Sequence, residues 1–211
     1  MTRDWVQWHR AYDDPSSPLS QRRSAVGRLI RSALDAAAPG PITVVSLCAG
    51  DGRDLALGAA DHPRVADLSG TLVELDPRLA ADATVAMAGL SATIRVEVAD
   101  AGDPDRFRHA LPADLLLLCG IFGNISDDDI RRTIAAVPAM CRTGATVIWT
   151  RHRREPDLTP SIRAWFDAAG CESTGFVSPA SGSFAIGCER VTVSSTAPMP
   201  TRLFGFLDDL W

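Results

Sequence analysis

The sequence predicts an α/β protein built on a mostly parallel sheet with helices on both faces. Two observations carry that reading. Short apolar runs alternate with helical stretches through most of the chain, as strands buried on both faces do in a parallel sheet. Near the end, two strand-like segments follow each other with only a loop between them. They read as a closing hairpin and bring the predicted strands to seven, the last one antiparallel.

The elements follow in order. The first residues, "DWVQWHRAYDDPSSPLSQRR", are aromatic and then broken by Pro15 and Pro18, which predicts a short helix and a turn. A second helix is expected over 20–37, ended by the "PGP" at 39–41. "ITVVSLC" is the first strand, and the residues from Gly52 to Pro63 read as a helix. "GTLVELD" is the second strand, followed by a helix with Pro77 in its first turn. "IRVEVAD" is the third, "DPDRFRHAL" a short helix and "ADLLLLCG" the fourth. Ser126 is a suitable N-cap for the next helix, with Asp127, Asp128 and Asp129 in its first turn. "ATVIWTRH" is the fifth strand, and "TPSIRAWFDAAGC" a helix closed by Gly170. "ESTGFVS" and "SFAIGCERVTV" form the hairpin.

Composition sets the bounds. A chain of 211 residues suits a single domain: a helical cap at 1–38, a core at 42–193 and a tail at 194–211. Apolar residues in the tail, Leu203, Phe204, Phe206, Leu207, Leu210 and Trp211, suggest docking on the core or on a partner subunit, such as a second copy in a homodimer. The net charge of −5 gives no overall basic field for nucleic acid or lipid. No apolar run approaches the roughly 20 residues of a membrane span, and the N-terminus has no signal-peptide core, so a cytoplasmic protein is expected. All 21 basic residues are arginine, which excludes Walker-type phosphate binding and lysine Schiff-base chemistry. The five cysteines, Cys48, Cys119, Cys141, Cys171 and Cys188, form no CxxC pair, so buried free thiols are expected rather than a metal site or a disulfide frame.

Ligands of parallel sheets bind at the carboxyl ends of the strands, so those ends carry the functional reading. The first strand runs into "CAGDGRD". Gly50 and Gly52 let the backbone pass close to a ligand, and the helix that follows offers free N–H groups. The second strand ends at Glu74, 22 residues after Gly52, where a carboxylate can accept from both hydroxyls of a ribose. The third ends at Asp100, which can accept from an adenine amino group or cap a helix.

With these residues in place, the chain from about Val44 to Val193 resembles the Rossmann-like S-adenosylmethionine-dependent methyltransferases. "VVSLCAGDGRD" sits at the family's first motif, Glu74 in "LVELDP" matches its ribose acid, and Asp100 with Ala101 its adenine position. "ADLLLLCGIFGNIS" is similar to the strand and loop beside the transferred methyl. The resemblance implies a cofactor site from Cys48, Ala49, Gly50, Asp51, Gly52, Glu74, Leu75, Asp100, Ala101, Cys119 and Gly120, and S-adenosylmethionine as cofactor. Two departures stand out. The family often has an acid where this chain has Ser46, an acid that usually holds the cofactor's amino group, and glycine where this chain has Cys48.

A dinucleotide-binding Rossmann domain using NAD(P) is the nearest competitor, but its third glycine is Leu55 here, and Asp51 and Asp54 suit a cation better than a pyrophosphate. A catalytically silent cofactor-binding partner or regulatory subunit is the alternative from another class. Methyl transfer is an in-line displacement from an activated sulfonium, so no catalytic constellation is obligatory. The candidates for it are His152, Asn124 and Tyr12, with Trp5, Trp8, His9, Phe122 and Arg151 toward substrate. The expected substrate is a small, partly planar metabolite, methylated at nitrogen or oxygen. Residues 1–19 are expected to fold over the site, bringing Tyr12 or His9 to cofactor or substrate.

Overall fold

The strands assemble in the order β3-β2-β1-β4-β5-β7-β6 in one seven-stranded sheet. The structure is a computed structural model and describes residue 14 and residues 16–207. The strands are β1 (Ile42–Leu47), β2 (Leu68–Glu74), β3 (Thr93–Val98), β4 (Ala113–Leu118), β5 (Cys141–His152), β6 (Cys171–Val177) and β7 (Phe184–Val191). All pairings from β3 to β5 are parallel, and β7 lies antiparallel to both β5 and β6. The predicted α/β class, the seven strands and the closing hairpin are therefore what the chain adopts. Strand order reverses at β1 and β4, which opens a crevice above their carboxyl ends.

The helices are α1 (Pro18–Ala36), α2 (Arg53–Ala59), α3 (Pro77–Ala88), α4 (Asp127–Met140) and α5 (Thr159–Ala168). Helix α1 starts two residues before the predicted position because the Ser17 hydroxyl caps it, accepting from Ser20 N at 3.1 Å, and Pro18 needs no N–H partner in the first turn. Helix α2 stops at Ala59, four residues short of prediction; Asp61 takes a left-handed φ of 55° just beyond it. The "DPDRFRHAL" segment closes into two 3₁₀ turns, Pro104–Arg106 and Arg108–Ala110, rather than a helix.

Each face of the sheet has its own core. Val44, Leu72, Leu115, Leu117 and Ile148 point to α1, α2 and α3, where Val26, Ile30, Leu55 and Met87 meet them. Val45, Leu47, Leu116, Leu118 and Trp149 point to α4 and α5, against Ile134, Val137, Ile162 and Phe166. Two-sided burial is why the central strands read as unbroken apolar runs. The Trp149 ring stacks on Phe166 at 6.0 Å and donates to buried Glu189 at 3.1 Å. A Cβ on Gly187 would sit 2.2 Å from that indole, so this strand position has to be glycine.

The tail returns to the carboxyl side of the sheet. Leu203 N donates to Gly102 O at 2.8 Å, Leu203 and Phe204 are buried, and Leu207 N donates to Asn124 O at 3.0 Å. Leu210 and Trp211 lie outside the described residues.

Candidate functional site

The glycine turn between β1 and α2 is built from left-handed residues. Cys48, Gly50 and Gly52 have φ of 52°, 58° and 73°. Cys48 thus adopts the backbone that a glycine favours, at a cost of about 1–2 kcal/mol for a residue with a Cβ. The cysteine that stands where the resembled family often has glycine therefore keeps a glycine-like backbone. At Gly52 a Cβ would lie 3.3 Å from Leu72, Ala83 and Met87, so the turn packs directly on β2 and α3.

Glu74 lies at the end of β2, buried, and braces two turns. One oxygen accepts from Gly50 N at 2.8 Å and the other from Asp76 N at 2.9 Å. Those amides fix the carboxylate, and each oxygen keeps a second acceptor position. Asp51 is also buried and is paired with Arg53. Beyond the end of β3, Asp100 accepts from Gly102 N at 2.8 Å and pairs with Arg202 of the tail at 2.8 Å. Ala101 is buried behind it, and Leu75 and Val98 leave an apolar ledge beside Glu74, at 66% and 60% exposure. Large apolar side chains at adjacent strand ends offer a flat surface for a planar ring.

Ser46, Cys48, Ala49, Gly52, Asp54, Leu55, Leu72, Leu117 and Cys119 line one small cavity under the turn. The sequence reading brought Cys48 and Cys119 to one site, and both line this space. Their thiols are held neutral: burial pushes both well up, helped by the charges of Glu74 and Asp100 at Cys48 and of Asp54 at Cys119. All five cysteines are free. Among the described residues no group of His, Cys, Asp and Glu is arranged to hold a metal ion.

The ends of β4 and β5 are occupied by contacts within the chain. Gly120 N donates to the Thr150 hydroxyl at 2.8 Å, and Asn124 Nδ2 to Gly120 O at 2.6 Å. The Phe122 ring is fully buried against Trp149 and Phe166, so at this edge the residue presents backbone. Arg151 is buried and donates to Phe122 O; burial lowers its pKa, opposed by Asp127 and Asp157. The Nδ1 of His152 accepts from Arg154 N at 3.3 Å. Burial lowers the pKa of this imidazole, Arg151 and Arg154 lower it further, and a backbone hydrogen bond with Gly123 and the charge of Asp157 oppose the shift. The net shift favours the neutral form of His152, and the ring is held by contacts within the chain. Trp5, Trp8, His9 and Tyr12 lie outside the described residues.

Sequence reasoning missed Arg202, Gly102 and Thr150. Thr150 and Gly102 carried no local signal, and Arg202 meets Asp100 only through the path of the tail. The charge following the second glycine in "GDGRD" did mark Asp54, without showing which way it faces.

No protein-family model matches the sequence, and no curated protein matches it. Solved structures do. An O-methyltransferase family protein from Burkholderia thailandensis superposes with a TM-score of 0.57 at 19% identity, over 83% of this chain and 59% of its own. A TehB-like S-adenosylmethionine-dependent methyltransferase from Corynebacterium glutamicum gives 0.58 at 13%, over 89% of this chain and 96% of its own. Fibrillarin of Aeropyrum pernix, with natively bound S-adenosylmethionine, gives 0.56 at 16%, covering 77% of this chain and 76% of its own. The [4+2]-cyclase SpnF has the same fold at 0.59 and 16%, over 80% of this chain and 82% of its own. The fold is that of the Rossmann-like methyltransferases, and it serves other chemistry as well.

Proposed function

We propose that the chain is an S-adenosylmethionine-dependent methyltransferase acting on nitrogen or oxygen of a small molecule. The observation that carries this is Glu74: a carboxylate locked by two backbone amides at the end of β2, beside the glycine turn, with acceptor capacity left over. The residues fit the nucleoside. Glu74 would hold the ribose hydroxyls, Leu75 and Val98 would lie against the base, and Asp100 with the backbone of Ala101 would read its edge. When bound, the cofactor supplies an activated methyl on a sulfonium. The chain's part is to orient the acceptor and keep water out. The neutral thiols of Cys48 and Cys119 leave the cavity under the turn free of competing thiolate.

NAD fits less well. Leu55, at the position of the third dinucleotide glycine, is buried core, and the carboxylates of Asp51 and Asp54 flank the turn where a pyrophosphate would sit. A second reading, a silent cofactor-binding subunit, is favoured by one observation: Asn124 and His152 both make hydrogen bonds within the chain instead of opening toward an acceptor. Calorimetry tests the cofactor first. S-adenosylhomocysteine should bind and NAD should bind much more weakly; equal or reversed preference overturns the proposal. Methyl release from S-adenosylmethionine in the presence of host extract then separates enzyme from silent subunit.

A further inference from the structure

The carboxylates around the glycine turn are paired, with one exception. Glu74 holds two amides, Asp100 holds an amide and Arg202, and Asp51 holds Arg53. Asp54, in the first turn of α2, makes no hydrogen bond and no ion pair among the described residues. It lines the cavity under the turn together with Ser46 and Cys119. That space measures about 10 Å³, close to what one water-sized group occupies. The rest of its wall is apolar or neutral: Leu55, Leu72, Leu117 and the two thiols.

Burial raises the pKa of Asp54, with Asp51 adding to the rise, while Arg22 and Arg23 on α1 and the neighbouring Arg53 pull it down. Asp54 is half-buried, and these arginines favour its charged form without a hydrogen bond or ion pair to it, so its acceptor positions stay open toward the cavity. The partner that fits is a small cation with N–H donors, the size of a primary ammonium; a guanidinium is too wide. Arg22 and Arg23 give the same end of the site the opposite sign. A ligand with an ammonium and a carboxylate on one carbon matches both.

We propose that Asp54 accepts the ammonium group of the amino-acid end of the S-adenosyl ligand, replacing an acid on the strand at position 46. This rests on the cofactor reading above. Ser46 and Asp54 line one cavity, the first from the strand and the second from the helix, so a carboxylate at either position would border the same space, and this chain has it on the helix.

Two ligands separate the amino-acid end from the nucleoside. S-adenosylhomocysteine carries both, and 5′-methylthioadenosine lacks the amino acid. By calorimetry, Asp54→Asn should weaken S-adenosylhomocysteine about tenfold or more, the loss of a charged hydrogen bond, and leave 5′-methylthioadenosine nearly unchanged. Adding Ser46→Asp should restore part of the lost affinity. The melting temperature of Asp54→Asn should hold or rise. Unaltered binding of S-adenosylhomocysteine, or an equal loss for both ligands, overturns the assignment. A wild-type protein that binds neither ligand overturns the cofactor reading itself.

Discussion

The carboxyl edge of the sheet divides into two halves that treat their polar groups differently. On the β1–β2–β3 side, hydrogen bonds hold side chains in place and leave acceptors over: Glu74 is braced by amides, and Asp54 faces a cavity. On the β4–β5 side, groups satisfy one another: Asn124 with Gly120, Arg151 with Phe122, Gly120 with Thr150, and the tail with Asn124. In the proposed function, the first half is the preorganised socket that takes the cofactor. The second is closed on itself. The difference teaches that a proposal for the ligand can be built on the fixed half, whereas one for the acceptor's chemistry depends on how the closed half would open to it.

Substitutions should sort by half. The largest effect is expected from Phe204→Ala, which empties a fully packed position where the tail meets the core. A loss of about 3–5 kcal/mol is typical for such a truncation. For a chain of this length that is a fall in Tm on the order of ten degrees. Thermal unfolding measures it. If the tail is a structural closure, S-adenosylhomocysteine affinity of the folded fraction stays near wild type. A fall in affinity as large as the fall in stability would merge the two halves.

Glu74→Ala should do the converse. Loss of charge-assisted bonds to the ribose is worth about 1.5–3 kcal/mol, or roughly tenfold or more in Kd. The variant also strips an acceptor from Gly50 N and Asp76 N, so Tm should fall by a few degrees. Calorimetry with 5′-methylthioadenosine isolates the ribose term, since that ligand keeps the sugar. Unchanged affinity in a folded variant would remove Glu74 from the site.

How legible each half was in the sequence follows from the same physics. The strands and the mostly parallel class of the sheet were readable because burial on both faces leaves continuous apolar runs, as in "ADLLLL" and "ITVVSL". β3, at the edge, was harder: its burial alternates and its last residue, Val98, is exposed. Glu74 and Asp100 were legible as acids ending apolar strands. Phe122 was read as facing substrate because it follows a strand end, but its ring folds back between Trp149 and Phe166, a packing choice made by residues distant in the chain. Arg202 reaches Asp100 across 102 residues, and no local pattern announces such a pair. The short reach of α2 and the two 3₁₀ turns were missed for a smaller reason: helix ends depend on single turns of backbone, and composition blurs them.

The smallest effect concerns His152 and tests whether the acceptor half is as closed as its hydrogen bonds suggest. Burial and the charges of Arg151 and Arg154 depress its pKa below the ordinary value of about 6.5. In the window between that value and the lower folded one, the unfolded chain binds more protons than the native one. Stability therefore rises with pH there, and it is lost as pH falls through the window. His152→Gln cannot titrate, so its Tm should decline less than wild type between neutral and mildly acidic pH, with the two curves parallel above about pH 7.5. The half-buried position keeps the effect modest. A closed half predicts that S-adenosylhomocysteine leaves the wild-type slope unaltered. If the ligand steepens or flattens it, the imidazole exchanges its contacts when the socket fills. The two halves would then be coupled, and His152 would return as a candidate to take a proton from the acceptor.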